Sequence, residues 1–569
     1  MSSPTEILNQ YWGYVQFRPK QEEIIKSVLN GKDTLALLPT GGGKSICFQV
    51  PAMAQDGICI VVSPLIALMK DQVANLKSRN IKAMCITSEN GYREVDAMFD
   101  RCIFEDIKFL YVSPERLQTD IAKARIPKMK VNLIAVDEAH CISEWGYDFR
   151  PPYLKIADIR EYHPKVPVIA LTASATPPVV KDIQEKLLFK KSNVLSKSFA
   201  RENLAYFVDW DENKLQKAER IAKKLKGSGI IYTRSRKGTE RITRELKKRG
   251  LNVDFYHAGL ENEVRSQKQQ EWMSGKTQII VATNAFGMGI DKSNVRFVLH
   301  FDLPDTLENY YQECGRGGRD GKKAFAVTLL AKKDMIRFRE KLAKAFPEKS
   351  DINRVYTAIG NQLQLAVGSG KDERFPLDIE QLARQYDLNE RLILQCIKFL
   401  EREEYVALDE SRDYNSHLQI LCSNEELYNL KVQNIKLEPL INGLLRSYGR
   451  LFDEEVKISE WTISQRIKWS KDRVIKGLDY LQQRELVKYT KATHLPTLIY
   501  TKERLDSKNV RISDEHYKLR KHVVIEKAEA MLNYAEFEGK CRSRMILEYF
   551  GEIDAEDCGI CDFCIKNKD

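Results

Sequence analysis

A glycine-rich segment near the start of the chain has the residue types needed to bind the phosphates of a nucleotide. Thr40-Gly-Gly-Gly-Lys-Ser45 follows an apolar stretch typical of a strand and precedes a stretch typical of a helix. In such a loop, backbone N–H groups and the following helix N-terminus hold phosphate oxygens, Lys44 neutralises the terminal phosphates and Ser45 ligates Mg²⁺. The strict pattern has glycine in place of Leu38, and a flexible turn is the alternative. The candidate phosphate-binding residues are Thr40, Gly41, Gly42, Gly43, Lys44 and Ser45.

An acidic pair follows another apolar run about 90 residues later. In Asp137-Glu138-Ala-His140, the carboxylates would project from the carboxyl edge of a parallel sheet. Asp137 would hold Mg²⁺ through water, and Glu138 would act as the general base that polarises the attacking water. The alternative is a helix N-terminus that favours acidic residues. The glycine loop upstream favours the catalytic interpretation.

Two arginines lie three residues apart in a later glycine-rich segment that runs from Gln312 to Gly321. Planar guanidinium groups suit the charge that spreads over a phosphoryl group during transfer. Arg316 and Arg319 are therefore predicted to reach the γ-phosphate across a cleft. A solvated basic turn is the alternative.

Four of the twelve cysteines cluster towards the end of the sequence. Their spacing suits tetrahedral Zn²⁺, and four protein ligands leave no open position for a substrate, so the predicted role is structural. Free thiols and an iron–sulfur cluster are the alternatives. The other eight cysteines are scattered, as in a reducing compartment. The predicted zinc ligands are Cys541, Cys558, Cys561 and Cys564.

Short apolar runs alternate with helix-like stretches over the first part of the chain, which predicts an α/β fold with parallel sheets. Two such lobes are expected, over 1–200 and 201–345. Beyond them, short helices followed by β-rich ends predict winged-helix-like domains over 346–425 and 426–510. The second of these is more basic and is the candidate DNA-binding domain. A helical zinc-binding module is expected over 511–569.

Composition supports a folded, multidomain chain with an acidic partner. The 569 residues are 43% hydrophobic and contain 91 basic and 80 acidic side chains, and the basic excess lies in the first 350 residues. No apolar stretch is long enough to span a membrane, and no basic region leads into an apolar one at the start. A cytoplasmic location is therefore expected, and the family resemblance given below further implies association with the nucleoid.

The ordered motifs resemble those of superfamily 2 helicases over roughly residues 10–330. The segment from His140 to Tyr153 is similar to the aromatic-rich loop that marks the RecQ family of DNA helicases, and the bacterial type in particular. The segments that carry the resemblance are Phe17-Arg-Pro-Lys-Gln21, Thr40 to Ser45, Ser63 to Gln72, Asp137 to His140, Thr172-Ala-Ser-Ala-Thr176, Ala285 to Asp291 and Gln312 to Arg319.

The resemblance implies two RecA-like lobes that bind ATP and Mg²⁺ between them. It also implies 3′ to 5′ movement on single-stranded DNA, unwinding of partially duplex DNA, and a role in repair and recombination. Single-strand-binding and recombination proteins are further candidate partners. An RNA helicase, or an ATP-switched protein that binds DNA junctions or anneals strands, is the alternative.

The resemblance also assigns expected roles to individual residues. Tyr14 would stack on adenine while Arg18 and Gln21 hold it, and Gln312 would contact the nucleotide. Ser174 would sense the nucleotide in place of the family's more usual threonine. The expected DNA contacts are Trp145, Tyr147, Phe149, Arg150, Ser63 and Lys70, with Arg116, Asn284 and Arg296 as weaker candidates.

The segment from Cys541 to Cys564 resembles the RecQ zinc module but departs from the common order. In the family this module directly follows the second lobe, whereas here about 200 residues intervene. Either the module folds back onto the second lobe or it serves another face. The winged helix near 461–500 is the candidate for the strand-separating wedge, with a packing role as the alternative.

Overall fold

The chain forms two compact units in the computed structural model. Unit 1 comprises Met1–Ala343 together with Lys518–Asp569, and unit 2 comprises Lys344–Tyr517. The described residues are 3–87, 90–143, 146, 150–287, 290, 292–343, 346–409, 416–434, 436–453, 455–491 and 495–568. Within these ranges, no helix combines the length and apolar character needed to cross a bilayer.

Lobe 1 of unit 1 is built on a parallel sheet with strand order β3-β4-β2-β5-β6-β1-β7. Its central strands are buried except at Val131, the first residue of β5, because helices cover both faces. Strands β5, β6 and β1 are neighbours, so the residues that follow them meet at one edge. The strands are β1 Thr34–Leu37, β2 Ile58–Val62, β3 Ala83–Ile86, β4 Phe109–Val112, β5 Val131–Val136, β6 Val168–Thr172 and β7 Val194–Ser196.

Amphipathic helices pack on this sheet and bury their apolar sides in two clusters, one on each face. The helices are α1 Pro4–Trp12, α2 Gln21–Leu29, α3 Ile46–Ala54, α4 Ile66–Lys77, α5 Tyr92–Phe104, α6 Pro114–Leu117, α7 Asp120–Arg125, α8 Ile159–Tyr162 and α9 Pro177–Lys186. Short 3₁₀ helices cover Ile126–Lys128, Ala139–Ile142 and Pro151–Asp158.

Lobe 2 repeats the parallel α/β plan, with strand order β10-β11-β9-β12-β13-β8. The strands are β8 Leu204–Trp210, β9 Ser228–Tyr232, β10 Val253–Tyr256, β11 Ile279–Ala282, β12 Val295–His300 and β13 Ala324–Leu330. The helices are α10 Lys214–Leu225, α11 Arg236–Lys248, α12 Asn262–Ser274, α13 Leu307–Cys314 and α14 Lys332–Ala343. Strand β8 lies at the edge of the sheet, and α13 leads directly into the arginine-bearing loop.

Unit 2 contains two winged-helix domains, one nested within the other. Its helices are α15 Lys349–Gln362, α16 Ile379–Gln385, α17 Glu390–Arg402, α18 Asn424–Gln433, α19 Glu438–Ser447, α20 Glu460–Ile467 and α21 Lys471–Gln483, with a 3₁₀ turn at Ser507–Asn509. Its strands are β14 Arg374–Pro376, β15 Val406–Asp409, β16 Ser416–Ile420, β17 Val456–Ile458, β18 Val487–Thr490 and β19 Thr497–Tyr500.

The outer winged-helix domain is interrupted between its last two strands. Strand β19 pairs antiparallel with both β14 and β15, although the chain between β15 and β19 forms the nested domain. In the nested domain, β16 lies between β17 and β18. The central strand of the outer sheet, β19, comes last in its domain, whereas the central strand of the nested sheet, β16, comes first. The connectivity of the nested domain is therefore a circular permutation of that of the outer domain.

The strand pairing divides unit 2 differently from the predicted ranges 346–425 and 426–510. Strand β16 belongs to the nested domain and β19 to the outer one, so each lies on the other side of the predicted boundary. Strands β18 and β19 lie in different sheets, so segment 461–500 does not belong to a single winged helix. Local strand signals missed this nesting, because pairing partners distant in sequence decide it.

The cysteine module follows unit 2 and folds back onto lobe 2. Its helices are α22 Asp514–Glu536, α23 Arg542–Tyr549 and α24 Asp562–Lys566. The Asp562 carboxylate accepts a hydrogen bond of 3.0 Å from the Val208 N–H on β8, and the Tyr534 hydroxyl lies 3.1 Å from that of Tyr310 on α13. This packing resolves the question left open by the sequence. The predicted fold class, two parallel-sheet lobes followed by winged-helix domains and a helical cysteine module, is confirmed.

Candidate active site and metal centre

The glycine loop connects β1 to α3 at the carboxyl edge of the lobe 1 sheet. Gly41 and Gly43 have φ values of 82° and 77°, a left-handed conformation that other residues adopt at a cost. Ser45 occupies the N-cap position of α3. The positive end of the helix dipole therefore faces the loop, as an anion-binding site requires.

Two side chains from the segment before α2 and from α2 itself hold the glycine loop. The Gln21 amide donates to the Gly43 carbonyl at 3.0 Å, and the Arg18 guanidinium donates to the Gly41 carbonyl at 2.5 Å. The Gln21 side-chain oxygen accepts from the Arg18 N–H at 2.9 Å. Tyr14 lines the same cavity and is 52% exposed, so its ring face is accessible.

The acidic pair directly follows β5 and faces the glycine loop. Lys44 Nζ lies 3.5 Å from Glu138 Oε1, and His140 Nδ1 lies 3.4 Å from the other carboxylate oxygen. His140 Nδ1 also lies 2.9 Å from the Thr172 hydroxyl at the end of β6. Glu138 has a φ of 46°, which is uncommon for a residue with a side chain and typical of strained functional positions.

The two carboxylates have opposite pKa shifts. Burial, together with the charge of Glu138, raises the pKa of Asp137 to about 6, although Lys44 opposes this. Burial would also raise the pKa of Glu138, but Lys44 and His140 beside it hold that pKa below its ordinary value. A nearby divalent cation would stabilise both ionised forms. The Ser45 hydroxyl and the Asp137 carboxylate line one cavity and fit Mg²⁺, which prefers oxygen ligands.

Lobe 2 contributes its two arginines to the same cavity. Arg316 is 7% exposed and donates through one terminal nitrogen to the Gly287 carbonyl. Among the described residues, its Nε has no hydrogen-bond partner. Arg319 donates to the Ile290 carbonyl at 2.7 Å.

The resulting cavity between the lobes measures about 530 Å³. Residues distant in sequence thus share one space, large enough for a nucleotide. The predicted residues that line it are Tyr14, Arg18, Gln21, Thr40, Gly41, Gly43, Lys44, Ser45, Asp137, Glu138, Gln312, Arg316 and Arg319.

Two contacts across the site connect the lobes. The Gln312 amide donates to the Ser174 hydroxyl at 3.1 Å. The Arg201 guanidinium donates to the Thr40 carbonyl at 3.4 Å and to the Gly317 carbonyl at 2.8 Å. The sequence analysis missed Arg201, because a single arginine in a linker carries no spacing signal.

A buried ion-pair network lies beneath the arginine-bearing loop. The Arg234 guanidinium donates to both carboxylate oxygens of Glu313, at 3.2 and 2.9 Å, and His300 Nε2 lies 2.8 Å from Glu313 Oε2. Burial opposes ionisation of Glu313, but Arg234 and His300 prevail and lower its pKa to about 2. Asp302 accepts from the Arg234 N–H at 2.9 Å and completes the network.

Glu313→Gln is expected to destabilise the chain by about 3 kcal/mol at pH 7, because the buried Arg234 guanidinium loses the carboxylate to which it donates. A lowered carboxylate pKa stabilises the fold above the unfolded pKa near 4.5, and this contribution is lost as pH falls towards 2. Wild type and variant should therefore converge in stability below about pH 4.5. Thermal unfolding from pH 7 to pH 3 measures this. Glu245→Gln, in an exposed pair with Lys248, is the control and should change little; a constant difference across the range would contradict the prediction.

The four predicted cysteines converge in the C-terminal module. Their Sγ atoms all lie within 4.8 Å of one another, and the Cys561 and Cys541 sulfurs are 3.8 Å apart. A tetrahedral Zn²⁺ with Zn–S distances of about 2.3 Å separates its sulfurs by about this distance, so the donor set fits zinc. Arg542 supports the cluster by donating to the Asp562 carboxylate at 3.2 Å.

The predicted DNA contacts are only partly described. Trp145, Tyr147 and Phe149 lie outside the described residues. The Arg150 guanidinium donates to the Pro64 carbonyl at 3.2 Å, which connects the aromatic-rich loop to the segment after β2. Ser63 is buried, and Lys70 is exposed on α4.

Four family profiles match the chain in order. The first two are the DEAD/DEAH box helicase profile, which matches residues 18–183, and the helicase conserved C-terminal domain, which matches residues 213–321. The RecQ helicase winged-helix domain of Bacteroidota matches residues 418–491, and the RecQ zinc-binding profile matches 501–565. The winged-helix match coincides with the nested domain, and the last match supports zinc at the cysteine cluster.

Curated relatives match over 56 to 63% of this chain. The "ATP-dependent DNA helicase RecQ" of Haemophilus influenzae is 44% identical over 322 residues, which is 56% of this chain and 52% of that protein. The chain spans about half the length of the first such relatives. The "Probable ATP-dependent DNA helicase RecS" of Bacillus subtilis is 41% identical over 59% of this chain and 68% of its own length.

A solved structure of the DEAD-box helicase Mss116 bound to ssRNA and UDP-BeF shares the fold. Its TM-score is 0.51 at 18% sequence identity, over 70% of this chain and 88% of the other. At this identity the likeness shows the fold alone. The four ordered profiles and the extent of the match to the Bacillus subtilis relative show that the chain belongs to the RecQ helicase family, as a bacterial-type member whose zinc-binding module follows the winged-helix region.

Proposed function

We propose that this chain is an ATP-dependent DNA helicase that moves 3′ to 5′ on single-stranded DNA and separates partially duplex DNA, in repair and recombination. The observation that carries the proposal is the cavity between the lobes, which brings Lys44 and Glu138 together with Arg316 and Arg319. The relatives named as ATP-dependent DNA helicases support it.

Lobe 1 holds the nucleotide in this proposal. Backbone N–H groups of the glycine loop bind the phosphates, and Lys44 neutralises the terminal ones. Ser45 and Asp137 would hold Mg²⁺, which would supply charge neutralisation at the phosphates when bound. Glu138 is the general base that accepts the proton of the attacking water, and its lowered pKa keeps it ionised.

Lobe 2 supplies the charge that stabilises phosphoryl transfer. The Gly287 carbonyl accepts a hydrogen bond from one terminal nitrogen of Arg316, and the residue lines the cavity in which the reacting phosphate would lie. Gly287 has a φ of 141°, and a Cβ there would lie 2.2 Å from Arg316 Nε. The close approach that positions Arg316 therefore requires glycine at this place.

The adenine end of the cavity is assigned to Tyr14, Arg18 and Gln21. The Tyr14 ring offers a stacking face, and the Gln21 amide can both donate and accept at an adenine edge. Gln21 and Arg18 bond the glycine loop directly. Binding of the base would therefore affect the position of the glycine loop, because the same two side chains contact both.

Ser174 and Gln312 connect the nucleotide to the DNA side. Their 3.1 Å hydrogen bond joins the end of β6 to α13 across the cleft. The aromatic-rich loop, with Trp145, Tyr147, Phe149 and Arg150, is assigned to base stacking, which is tolerant of sequence and worth about 1 to 3 kcal/mol per base. Ser63 and Lys70 are assigned to the DNA backbone. The nested winged-helix domain is assigned to DNA binding through exposed basic residues on and near α20 and α21, such as Arg466, Lys468 and Arg473.

Strand separation on tailed duplexes tests the proposal. We expect ATP-dependent opening of a duplex with a 3′ single-stranded tail and little opening of the same duplex with a 5′ tail. Opening from the 5′ tail, or hydrolysis of ATP stimulated by RNA but not by DNA, would contradict it. DNA-stimulated hydrolysis without opening of either substrate would indicate a translocase that lacks a strand-separating wedge.

A further inference from the structure

The segment that joins the two lobes is held by the cysteine module. This hinge, residues 197–203, runs from β7 in lobe 1 to β8 in lobe 2. The Ser198 hydroxyl donates to Glu552 Oε2 at 2.6 Å, and the Phe199 N–H donates to Glu552 Oε1 at 2.7 Å. One carboxylate of the module therefore binds two consecutive hinge residues.

Aromatic packing fixes the hinge at the same place. Phe199 is 4% exposed, and its ring stacks on Phe550 of the module with centroids 4.8 Å apart. Tyr311 of α13 meets both rings edge-on, and its hydroxyl donates to the Phe199 carbonyl at 2.8 Å. The module thus binds the backbone N–H of Phe199, and α13 binds the backbone carbonyl of the same residue.

The hinge residues lead directly to the candidate active site. Helix α13 ends at Cys314, immediately before the loop that bears Arg316 and Arg319. Two residues after Phe199, Arg201 donates both to the Thr40 carbonyl of the glycine loop and to the Gly317 carbonyl of the arginine-bearing loop. A shift of the hinge would therefore change the distance between these loops.

The module is anchored to lobe 2 by contacts that do not involve Glu552. Asp562 accepts from the Val208 N–H of β8, and Lys527 forms a buried ion pair with Glu308 of α13. These contacts keep the module attached when Glu552 is changed. Glu552 is thus free to act on the hinge rather than as the attachment point of the module.

We propose that Glu552, with Phe550, is a positioning residue that braces the hinge and sets the placement of Arg316 and Arg319 at the glycine loop. This inference rests on the proposed ATPase function. The brace acts on the lobe 2 arginines, whereas the glycine loop and the residues assigned to adenine belong to lobe 1. The brace therefore affects turnover more than nucleotide affinity.

Steady-state ATP hydrolysis with saturating single-stranded DNA tests the brace in the full chain. Glu552→Ala should lower kcat about 10-fold, because misplacement of a group by a fraction of an ångström to 1 Å costs that much or more. The KM for ATP should change less than twofold. Glu552→Gln should keep most of the activity, because its amide oxygen still accepts from the Phe199 N–H. Asp554→Asn, an exposed carboxylate two residues on, is the matched control and should match wild type.

Zinc content and hydrogen exchange separate the brace from other effects. Every variant should keep its zinc, and Glu552→Ala should accelerate amide exchange at Phe199 without nucleotide or DNA. Should Glu552→Ala lose zinc, Ser198→Ala removes one of the same hydrogen bonds from the lobe side and should lower kcat on its own. Unchanged kcat in zinc-loaded Glu552→Ala, or an effect on KM alone, would overturn the inference. A wild-type chain without DNA-stimulated hydrolysis but with faster Phe199 exchange in the variant would refute the proposed function and leave the hinge contact standing.

Discussion

Lys44→Ala is expected to reduce ATP hydrolysis and strand separation by about 100-fold or more while DNA binding persists. Lys44 is the cation of the glycine loop, and its Nζ lies 3.5 Å from Glu138 Oε1. The substitution removes charge neutralisation at the phosphates and also removes a group that lowers the pKa of Glu138. Hydrolysis with and without DNA, gel-based unwinding and fluorescence anisotropy with labelled DNA measure the three properties separately.

The control for this experiment is Lys26→Ala. Lys26 is an exposed lysine of α2 that pairs with Glu22 on the helix surface, so its loss should leave all three measurements near wild type. Retained strand separation in Lys44→Ala would show that strand separation does not depend on ATP hydrolysis in the cavity between the lobes. Loss of DNA binding in parallel would show that the variant is misfolded or that DNA contacts this loop.

Cys561→Ser is expected to cost the chain its zinc and to lower the melting temperature of unit 1 by about 10 °C. Cys561 is fully buried at the centre of the cluster, and its sulfur lies 3.4 Å from that of Cys564 and 3.8 Å from that of Cys541. Structural zinc contributes roughly 10 kcal/mol or more to the folding of small zinc domains. The loss of stability is expected to be smaller here, because the module also packs against lobe 2. Zinc released after thiol modification, thermal unfolding and limited proteolysis of residues 514–568 check the prediction.

Cys422→Ser is the matched control, since Cys422 is a half-buried cysteine of unit 2 outside the cluster. It should keep the zinc content and the protease resistance of wild type. A full complement of zinc in Cys561→Ser, with an unchanged melting temperature, would contradict a structural metal site at these four thiols.

The grouping of the candidate site residues was predictable because these residues follow strong local signals. An apolar run typical of a buried strand precedes both the glycines before Lys44 and the acidic pair that begins at Asp137. Because the carboxyl ends of parallel strands lie at one edge of their sheet, the two segments were expected to meet there. The cysteine spacing was equally direct, since few structures other than a metal site require it. The residue types and their spacing therefore located the phosphate loop, the acidic pair and the thiols.

The parts that the sequence did not reveal depend on contacts between distant segments. Arg201 and Glu552 are ordinary charged residues whose roles appear only once the lobes and the module are assembled. The strands of unit 2 were recognisable one by one, but β19 pairs with β15 across the whole nested domain. No local pattern encodes such a partner, so the predicted boundary between the winged helices lay in the wrong place.

The return of the module to lobe 2 has a consequence for the order in which this chain matures during synthesis. The Val208 N–H on the edge strand β8 gains its hydrogen bond only when Asp562, near the end of the described residues, has been made. Unit 2 is made in between and closes on itself, since Arg374 and Ile499, towards its two ends, are cross-strand neighbours. Unit 2 is therefore synthesised completely before the cysteine module, which packs on lobe 2, leaves the ribosome. A nascent chain halted after unit 2 should expose the hinge and the β8 edge to proteases and chaperones, even though every residue of both motor lobes has already been made.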